Sequence, residues 1–208
     1  MMKKSAVAKA PFGRPRGFDA DTALRVAVDL FWQQGYEATS LEALSQAMGL
    51  SRSSFYACFG SKHALLIAAV QLYADDRFAT LTACVATCAN PLDAVRAMLA
   101  VIADVDGGTS GCLFVNAVAE LAPGDAELVA LAQSHTTRVG ALMTATLRRC
   151  DCAEGEASEG AGALLALVMG ITTLRKTGVP PSQLTGLLTQ AVHLIPNTPS
   201  PSPLGKRP

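Results

Sequence analysis

The chain has 208 residues, of which half are apolar and 16% are charged, and its 17 basic side chains balance 17 acidic ones. This composition excludes a largely disordered chain, a collagen-like repeat and a small disulfide scaffold. A chain of this length can bury a substantial core without disulfides or metal ions.

The zero net charge conceals an uneven distribution. Residues 1–70 carry eight Lys and Arg against five Asp and Glu, whereas residues 71–208 carry nine against twelve. Five of the eight basic residues precede Asp19. We therefore expect a basic N-terminal arm over residues 1–18, and a division of the chain into two parts with different tasks.

Three short helices are predicted after the arm. The first begins near Asp19 and ends at Gly35, and the second begins at Thr39, which we expect to cap it, with Glu42 reaching back as in a capping box. Only Gly49, Leu50 and Ser51 separate the second helix from a third over residues 52–59. Two short helices joined by a tight turn that contains glycine form a helix-turn-helix.

The remaining text also has helical periodicity, and no convincing strand pattern interrupts it. We predict a long helix from residue 62 to about 89, then helices over about 92–105, 111–122, 125–150, 159–177 and 182–195. An acidic loop is expected around Asp151–Glu156. The proline-rich tail, 196–208, is expected to be disordered. The predicted fold is all-α with about nine helices: a three-helix DNA-binding unit over residues 19–66 and a larger helical bundle over residues 67–195.

Three stretches carry a resemblance to a known family: Gly13–Asp19, Leu30–Ser40 and Met48–Lys62. They combine Phe-x-x-x-Gly-Tyr, Thr-Ser, Gly-Leu-Ser and Tyr-x-x-Phe-x-x-Lys, and together they resemble the DNA-binding domain of the TetR family of bacterial transcriptional regulators. The resemblance covers about residues 13–66. It implies a homodimeric, ligand-responsive repressor of a palindromic operator, with an effector pocket among the middle helices and a dimer interface made by the last two long helices.

The helix-turn-helix identifies candidate DNA contacts. Arg52, Ser53 and Ser54 occupy the first turn of the reading helix, and the Arg52 guanidinium suits bidentate recognition of guanine, although a phosphate contact is the alternative. Tyr56 and Lys62 resemble phosphate contacts of the family, and we expect Thr39 to meet a phosphate at its helix N-terminus. Further candidates lie in the arm, which either follows a minor groove or only adds solubility: Arg14 and Arg16.

Candidate effector-binding residues are sparser, and each has a plain surface or core role as its alternative: Cys112, Asn116, Glu120, His135 and Arg175. We expect an aliphatic pocket, because Phe114 is the only aromatic residue after Phe78. Cys112 follows a Gly-rich turn and lies at the N-terminus of a predicted helix, a setting that favours a thiolate. A redox- or electrophile-sensing repressor is therefore an alternative function, set against a buried structural cysteine.

The last two helices are rich in apolar and small residues, which indicates pairing with a second copy, with an intrachain core as the alternative. No phosphate loop, nucleophile elbow, metal motif or Cys/His catalytic pattern is present, so we predict no enzyme, no catalytic residue, no cofactor and no metal. A helical enzyme or an interaction module without DNA binding stays as a weaker alternative. The uncharged runs Phe78–Leu92 and Gly160–Leu174 are shorter than the roughly 20 residues of a membrane span. With no secretory signal at the start, we expect a cytoplasmic protein without a membrane partner.

Overall fold

The computed structural model describes residues 19–122, 124–150 and 152–193. Within these ranges it contains nine α-helices, one 3-10 turn at Gly108–Ser110 and no strand, which confirms the all-α prediction. The predicted arm, with Arg14 and Arg16, and the predicted disordered tail, 196–208, lie outside the described residues. The helices are α1 Ala20–Gln34, α2 Leu41–Ala47, α3 Arg52–Phe59, α4 Lys62–Thr87, α5 Pro91–Ala103, α6 Leu113–Leu121, α7 Ala126–Arg148, α8 Glu154–Lys176 and α9 Pro181–His193.

The first three helices begin and end as local chemistry dictates. The Asp19 side chain accepts a hydrogen bond from the Asp21 amide and caps α1, and Gly35 ends that helix with φ 83°, a conformation that favours glycine. Ser51 caps α3 by accepting from the Ser54 amide at 3.1 Å. These caps are local contacts, so neighbouring residues account for both ends of α1 and for the start of α3.

The prediction that Thr39 caps α2 was wrong. The cap is Ser40, whose hydroxyl accepts from the Ala43 amide at 3.0 Å. Thr39 is completely buried, and its hydroxyl donates to the Gly35 carbonyl at 2.5 Å. The shift by one residue arises because the Thr39 side chain is buried and bonded to the Gly35 carbonyl, which leaves the next hydroxyl to accept from the free amide.

Two apolar cores share the long helix α4. The first core joins the helix-turn-helix to the N-terminal half of α4, to α6 and to the start of α7. It contains the buried side chains of Phe31, Leu44, Phe55 and Leu65. The second core lies among the C-terminal part of α4 and helices α5, α7, α8 and α9. Since α4 contributes to both cores, it connects helices α1 to α3 mechanically to the rest of the molecule.

Helix α8 begins at Glu154, five residues before the predicted start at 159. Glu154 and Glu156 lie in its first turn, where negative charge interacts favourably with the helix dipole. Ala157 and Ala161 are buried and fasten this turn to the second core. The acidic stretch that predicts a loop is therefore largely the start of a helix.

Helix α8 is also long and apolar enough to cross a membrane by length and composition, with a mean hydropathy of 1.4 over its best window. A span rule applied to uncharged runs underrates it, because the helix carries its charges at its ends. Only 33% of that window is buried inside the fold. A single copy of the chain therefore leaves much of an apolar helix uncovered.

Candidate nucleic-acid interface and ligand pocket

The reading helix α3 has a buried side and an exposed N-terminal side. Phe55 is completely buried and packs 5.6 Å from the Phe59 ring, which anchors the helix from below. Arg52 and Ser53 are exposed on the first turn, and Tyr56 follows one turn later with 46% of its surface exposed. Polar donors thus face solvent from the end of the helix that a helix-turn-helix points into the major groove.

The hydroxyls at the start of α3 are partly committed to one another. The Ser51 hydroxyl lies 2.8 Å from that of Ser54 and 3.0 Å from that of Ser53. Arg52 lies 3.6 Å from the Glu42 carboxylate of α2, but the two side chains are 69% and 73% exposed. An ion pair this open contributes little, so the guanidinium is free to exchange a carboxylate for a base or a phosphate.

Lys62, the first residue of α4, stands beside the helix-turn-helix. Its ammonium lies 4.2 Å from the centre of the Tyr36 ring, a cation–π contact that holds the charge at the end of α1. The Tyr56 ring meets the Phe55 ring edge-on at 5.7 Å. Neither the Tyr56 hydroxyl nor the Lys62 ammonium makes a hydrogen bond or ion pair with another described residue.

A cavity of about 60 Å³ lies within the bundle formed by α4 to α8. Its walls are mostly aliphatic and come from four helices: Leu81, Val101, Ile102, Val139, Leu165 and Met169. Three ring side chains, Tyr73, Phe114 and His135, also line it. The cavity is less aliphatic than expected, because Tyr73 enters from α4, upstream of the residues on which that expectation rested.

The polar end of the cavity is a short hydrogen-bonded series. Arg77 Nε donates to the Tyr73 hydroxyl at 3.3 Å, and that hydroxyl donates to Cys112 Sγ at 3.5 Å. Arg77 also lies 3.4 Å from the Asp104 carboxylate. Burial raises the pKa of Tyr73, reinforced by Cys112, so the phenol stays protonated and remains a donor.

His135 faces Phe114, with 4.7 Å between ring centres. Burial lowers the pKa of His135, and the nearby Arg138 lowers it further. Its Nδ1 atom is buried without a hydrogen-bond partner among the described residues. A neutral imidazole therefore borders the cavity near neutral pH.

Three of the candidate effector residues lie elsewhere. Arg175 is 3% exposed and donates to the Asp104 carboxylate at 3.0 Å and to the carbonyls of Asp104 and Gly111. Asn116 donates to the Ser110 carbonyl at 2.8 Å and accepts from Lys176 at 3.2 Å. None of these contacts reaches the cavity, so of the five candidates only Cys112 and His135 line it.

Glu120 is the third. Its carboxylate leaves the bundle and accepts hydrogen bonds from the Tyr36 amide at 2.9 Å and the Glu37 amide at 2.8 Å. It joins the end of α6 to the turn between α1 and α2 and lines a separate cleft beside α1, not the cavity.

Comparison with known proteins supplies the family. The family model described as bacterial regulatory proteins, tetR family, matches residues 23–69. A solved cysteine mutant of the TetR family transcriptional regulator CifR is 30% identical, and the match covers 86% of this chain and 98% of that one with a TM-score of 0.69. The chain belongs to the TetR family.

Other TetR relatives match over shorter stretches or by fold. The repressor ComR of Escherichia coli is 51% identical over 67 residues, which is 32% of this chain and 31% of ComR. The regulator YezE of Bacillus subtilis is 29% identical over 120 residues, 56% of this chain and 61% of YezE. Reduced NemR of E. coli shares the fold, with a TM-score of 0.76 over 86% of this chain and 98% of that one at 22% identity. Each curated match thus spans less than two thirds of its relative.

In this TetR protein the residues that sequence reasoning missed lie on α4 and α1. Tyr73 and Arg77 are four residues apart and so share a face of α4. This spacing could have identified them, but apolar residues surround them in the sequence and give no sign of a polar site. Trp32, the only tryptophan, donates from its indole nitrogen to the Gly111 carbonyl at 3.0 Å. Within the described ranges, no three His, Cys, Asp or Glu side chains gather as a metal site would require.

Proposed function

We propose that this protein is a transcriptional repressor that binds a palindromic operator as a homodimer in the cytoplasm. One observation carries the proposal: the capped N-terminus of α3 presents Arg52 and Ser53 to solvent above the fully buried Phe55, in a chain of the TetR family. The matched relatives agree, since ComR is named a repressor and a CifR mutant was solved with 26-bp operator DNA.

The proposed contacts follow from the geometry of each side chain. Arg52 and Ser53 face base edges, while Tyr56 and Lys62 hold phosphates that fix the register. Ser54 acts mainly through the Ser51 cap. Ser40 replaces Thr39 as the hydroxyl beside a phosphate, since the Thr39 side chain is buried. Arg14 and Arg16 remain proposed minor-groove contacts of the arm.

A gel-shift series tests DNA recognition. The probes are the DNA upstream of the protein's own gene and the same fragment with single guanine substitutions in the footprint. The wild-type protein should retard the first probe, and Arg52→Ala should weaken binding and lose discrimination of about 1–3 kcal/mol at one base pair per half-site. If Arg52→Ala weakens all probes equally, Arg52 is a phosphate contact, and if genome-wide footprinting finds no protected site, the repressor proposal fails.

The proposed dimer uses α8 and α9. Leu174 and Leu187 are among the large apolar side chains that remain exposed, at 40% and 39%. Leu164 and Leu184 from the same helices are buried within one chain, so each helix has an inner and an outer apolar side. Pairing with a second copy would cover the outer sides in a four-helix arrangement.

The proposed effector is a small, largely apolar molecule in the cavity between α4 and α8, with a polar group toward Tyr73, Arg77 and His135. Binding must favour the conformation that releases DNA by its differential affinity for that state. A thermal-shift screen of small apolar compounds, followed by operator titration, tests this. A compound that raises the Tm of the wild type but not of Val101→Phe should weaken operator binding; equal operator affinity with and without it contradicts the proposal.

A sensor of oxidants or electrophiles is the second candidate function. It is favoured by the position of Cys112, which lies immediately before α6, lines the cavity and receives a hydrogen bond from Tyr73. The CifR structures with operator DNA are cysteine mutants, which shows that cysteines of that relative were altered for study. With N-ethylmaleimide, the Cys112 sulfur would add to the alkene carbon and water would supply the proton to the adjacent carbon. Alkylation should release operator DNA from the wild type and not from Cys112→Ser; release from both removes Cys112 from the mechanism.

A further inference from the structure

Helix α6 is fastened to the DNA-binding helices at both of its ends. Before its start, the Gly111 carbonyl accepts a hydrogen bond from Trp32 of α1 at 3.0 Å. At its other end, the two carboxylate oxygens of Glu120 accept from the Tyr36 and Glu37 amides. The two contacts lie before and after the C-terminus of α1. Together they fix the orientation of α1 relative to α6 as well as the distance between the two helices.

The Glu120 contact has features of a specific fit. Each carboxylate oxygen takes one amide, at 2.9 and 2.8 Å, and hydrogen bonds to an ionised acceptor are stronger than neutral ones. The turn approaches closely because residue 35 is glycine: a Cβ added there would lie 3.1 Å from a Glu120 oxygen. Gly35 also has φ 83°, so the same residue satisfies the helix end and the carboxylate approach.

The held turn leads directly into the reading unit. Tyr36 and Glu37 precede Ser40, the cap of α2, and the Tyr36 ring contacts the Lys62 ammonium. The other end of α6 borders the cavity through Cys112, Phe114 and Val115. Val115 and Glu120 are five residues apart, about 7.5 Å along a helix. A displacement of α6 at the cavity would therefore move the carboxylate that holds the turn.

We propose that Glu120 is a positioning residue for DNA binding, which sets the orientation of the helix-turn-helix relative to α6 by holding the Tyr36 and Glu37 amides. This inference rests on the proposed function, because orientation matters only if α3 reads DNA. It assigns α6 a task beyond lining the cavity: the helix transmits the state of the cavity to the turn between α1 and α2.

The experiment compares Glu120→Ala and Glu120→Gln with Asp29→Asn in the full-length protein. Asp29 is exposed on α1 and has no hydrogen-bond or ion-pair partner among the described contacts, so Asp29→Asn removes one negative charge from the DNA-binding unit without breaking the Glu120 contact. Loss of a negative charge alone favours DNA binding. Weaker binding by the Glu120 variants therefore cannot arise from charge and reports the lost contact.

Three readouts are measured. Hydrogen exchange of the Tyr36 and Glu37 amides should be roughly tenfold faster or more in Glu120→Ala. Acrylamide quenching of the fluorescence of Trp32, the only tryptophan, should rise as the contact between α1 and α6 loosens. Affinity for the footprinted operator should fall roughly tenfold, equivalent to about 1.4 kcal/mol. Glu120→Gln, which keeps one acceptor oxygen, should lie between, and Asp29→Asn should bind as tightly as the wild type or more tightly.

The outcomes separate this inference from the proposed function. Unchanged exchange in Glu120→Ala, or unchanged operator affinity despite faster exchange, overturns the positioning role. If the wild type itself binds no DNA while exchange quickens as expected, the repressor proposal fails and the contact is only structural. Should Glu120→Ala unfold, as judged by circular dichroism, Glu120→Gln and its melting curve decide by the same criteria.

Discussion

At the scale of residues, the two proposed phosphate contacts of this TetR protein differ in how they hold DNA. Lys62 carries a full charge beside the Tyr36 ring, whereas Tyr56 offers a neutral hydroxyl from an exposed ring on α3. Only a cation displaces counterions from the DNA backbone when it binds. The two contacts should therefore leave different signatures in salt.

Lys62→Ala should weaken binding to all sequences alike and should reduce the slope of the logarithm of affinity against the logarithm of salt concentration by about one for each bound helix-turn-helix. Tyr56→Phe should weaken binding without changing that slope. Fluorescence anisotropy with operator and scrambled duplexes, between low and moderate salt, measures both. A slope change in Tyr56→Phe, or a loss limited to the operator in either variant, would show that these side chains do something other than hold phosphates.

His135 gives the cavity a response to pH. Its pKa in the fold lies below the ordinary value of 6.5, so the unfolded chain binds the proton more readily. The free energy of unfolding should therefore fall as pH drops below 6.5, and this part of the loss should be absent in His135→Gln. Urea unfolding between pH 7.5 and pH 5.5 measures it. A parallel pH dependence in wild type and His135→Gln would assign the loss to other groups.

At the scale of elements, α3 depends on its first turn. Ser51 satisfies the Ser54 amide and contacts the hydroxyls of Ser53 and Ser54. The helix has only eight residues, too few to be stable through propensity alone. The order of the reading turn is thus set by one hydroxyl together with the Phe55 anchor.

Ser51→Ala should cost about 0.5–2 kcal/mol of unfolding free energy and lower operator affinity, because the first turn frays where Arg52 and Ser53 must be held. Ser51→Thr, which keeps a capping hydroxyl, is the matched control. Chemical denaturation and anisotropy measure the two effects. Equal loss in the Ala and Thr variants would show that the cap hydroxyl is not what orders α3.

The ends of the helices show which structural features the sequence predicts and which it does not. Helix bounds of α1 and α3 follow from caps and glycines that act locally, so Asp19, Gly35 and Ser51 predict them well. The predicted Thr39 cap was wrong because two adjacent hydroxyls compete, and the burial of Thr39 with its bond to the Gly35 carbonyl decides between them. The predicted start of α8 was wrong for a similar reason. An acidic sequence suits either a loop or the first turn of a helix, and the burial of Ala157 favours the helical turn.

Site residues divide in the same way. The exposed position of the α3 candidates Arg52, Ser53 and Tyr56 could be predicted because the order of residues along a short helix after a tight turn is a local property. Whether the pocket candidates line the cavity depends on how helices distant in sequence meet, and no local pattern carries that information. Arg175 hydrogen-bonds to Asp104 and Gly111 instead. Glu120 accepts from the amides of Tyr36 and Glu37, which lie 84 and 83 positions earlier in the sequence. Tyr73 and Arg77 enter the cavity for the equally non-local reason that α4 serves both cores.

At the scale of the whole molecule, the proposed dimer can be broken without disturbing one chain. Leu187→Glu places a charge on an exposed part of α9, where the isolated fold tolerates it but a paired interface would bury it. The dimer dissociation constant should rise roughly a hundredfold or more, since an unpaired buried charge costs several kcal/mol. Analytical ultracentrifugation measures the association, and operator binding should fall with it.

Thr185→Glu is the matched control, because Thr185 is also exposed on α9 but its hydroxyl bonds only to the Pro181 carbonyl of its own helix. A dimer that survives Leu187→Glu and Leu174→Glu together would place the interface on another face. An unchanged melting profile in dilute solution would confirm that neither charge damages the single chain.

The incompletely covered helix α8 has a consequence for dosage. An unpaired chain would expose much of an apolar helix, and such surfaces attract proteases, chaperones and other unfolded chains. Under the proposed dimer, the pool of active repressor would grow as the square of the concentration of single chains at low expression. Newly made protein would then be either paired and durable or solitary and short-lived, so that repression would switch on above a threshold of synthesis instead of rising in proportion to it.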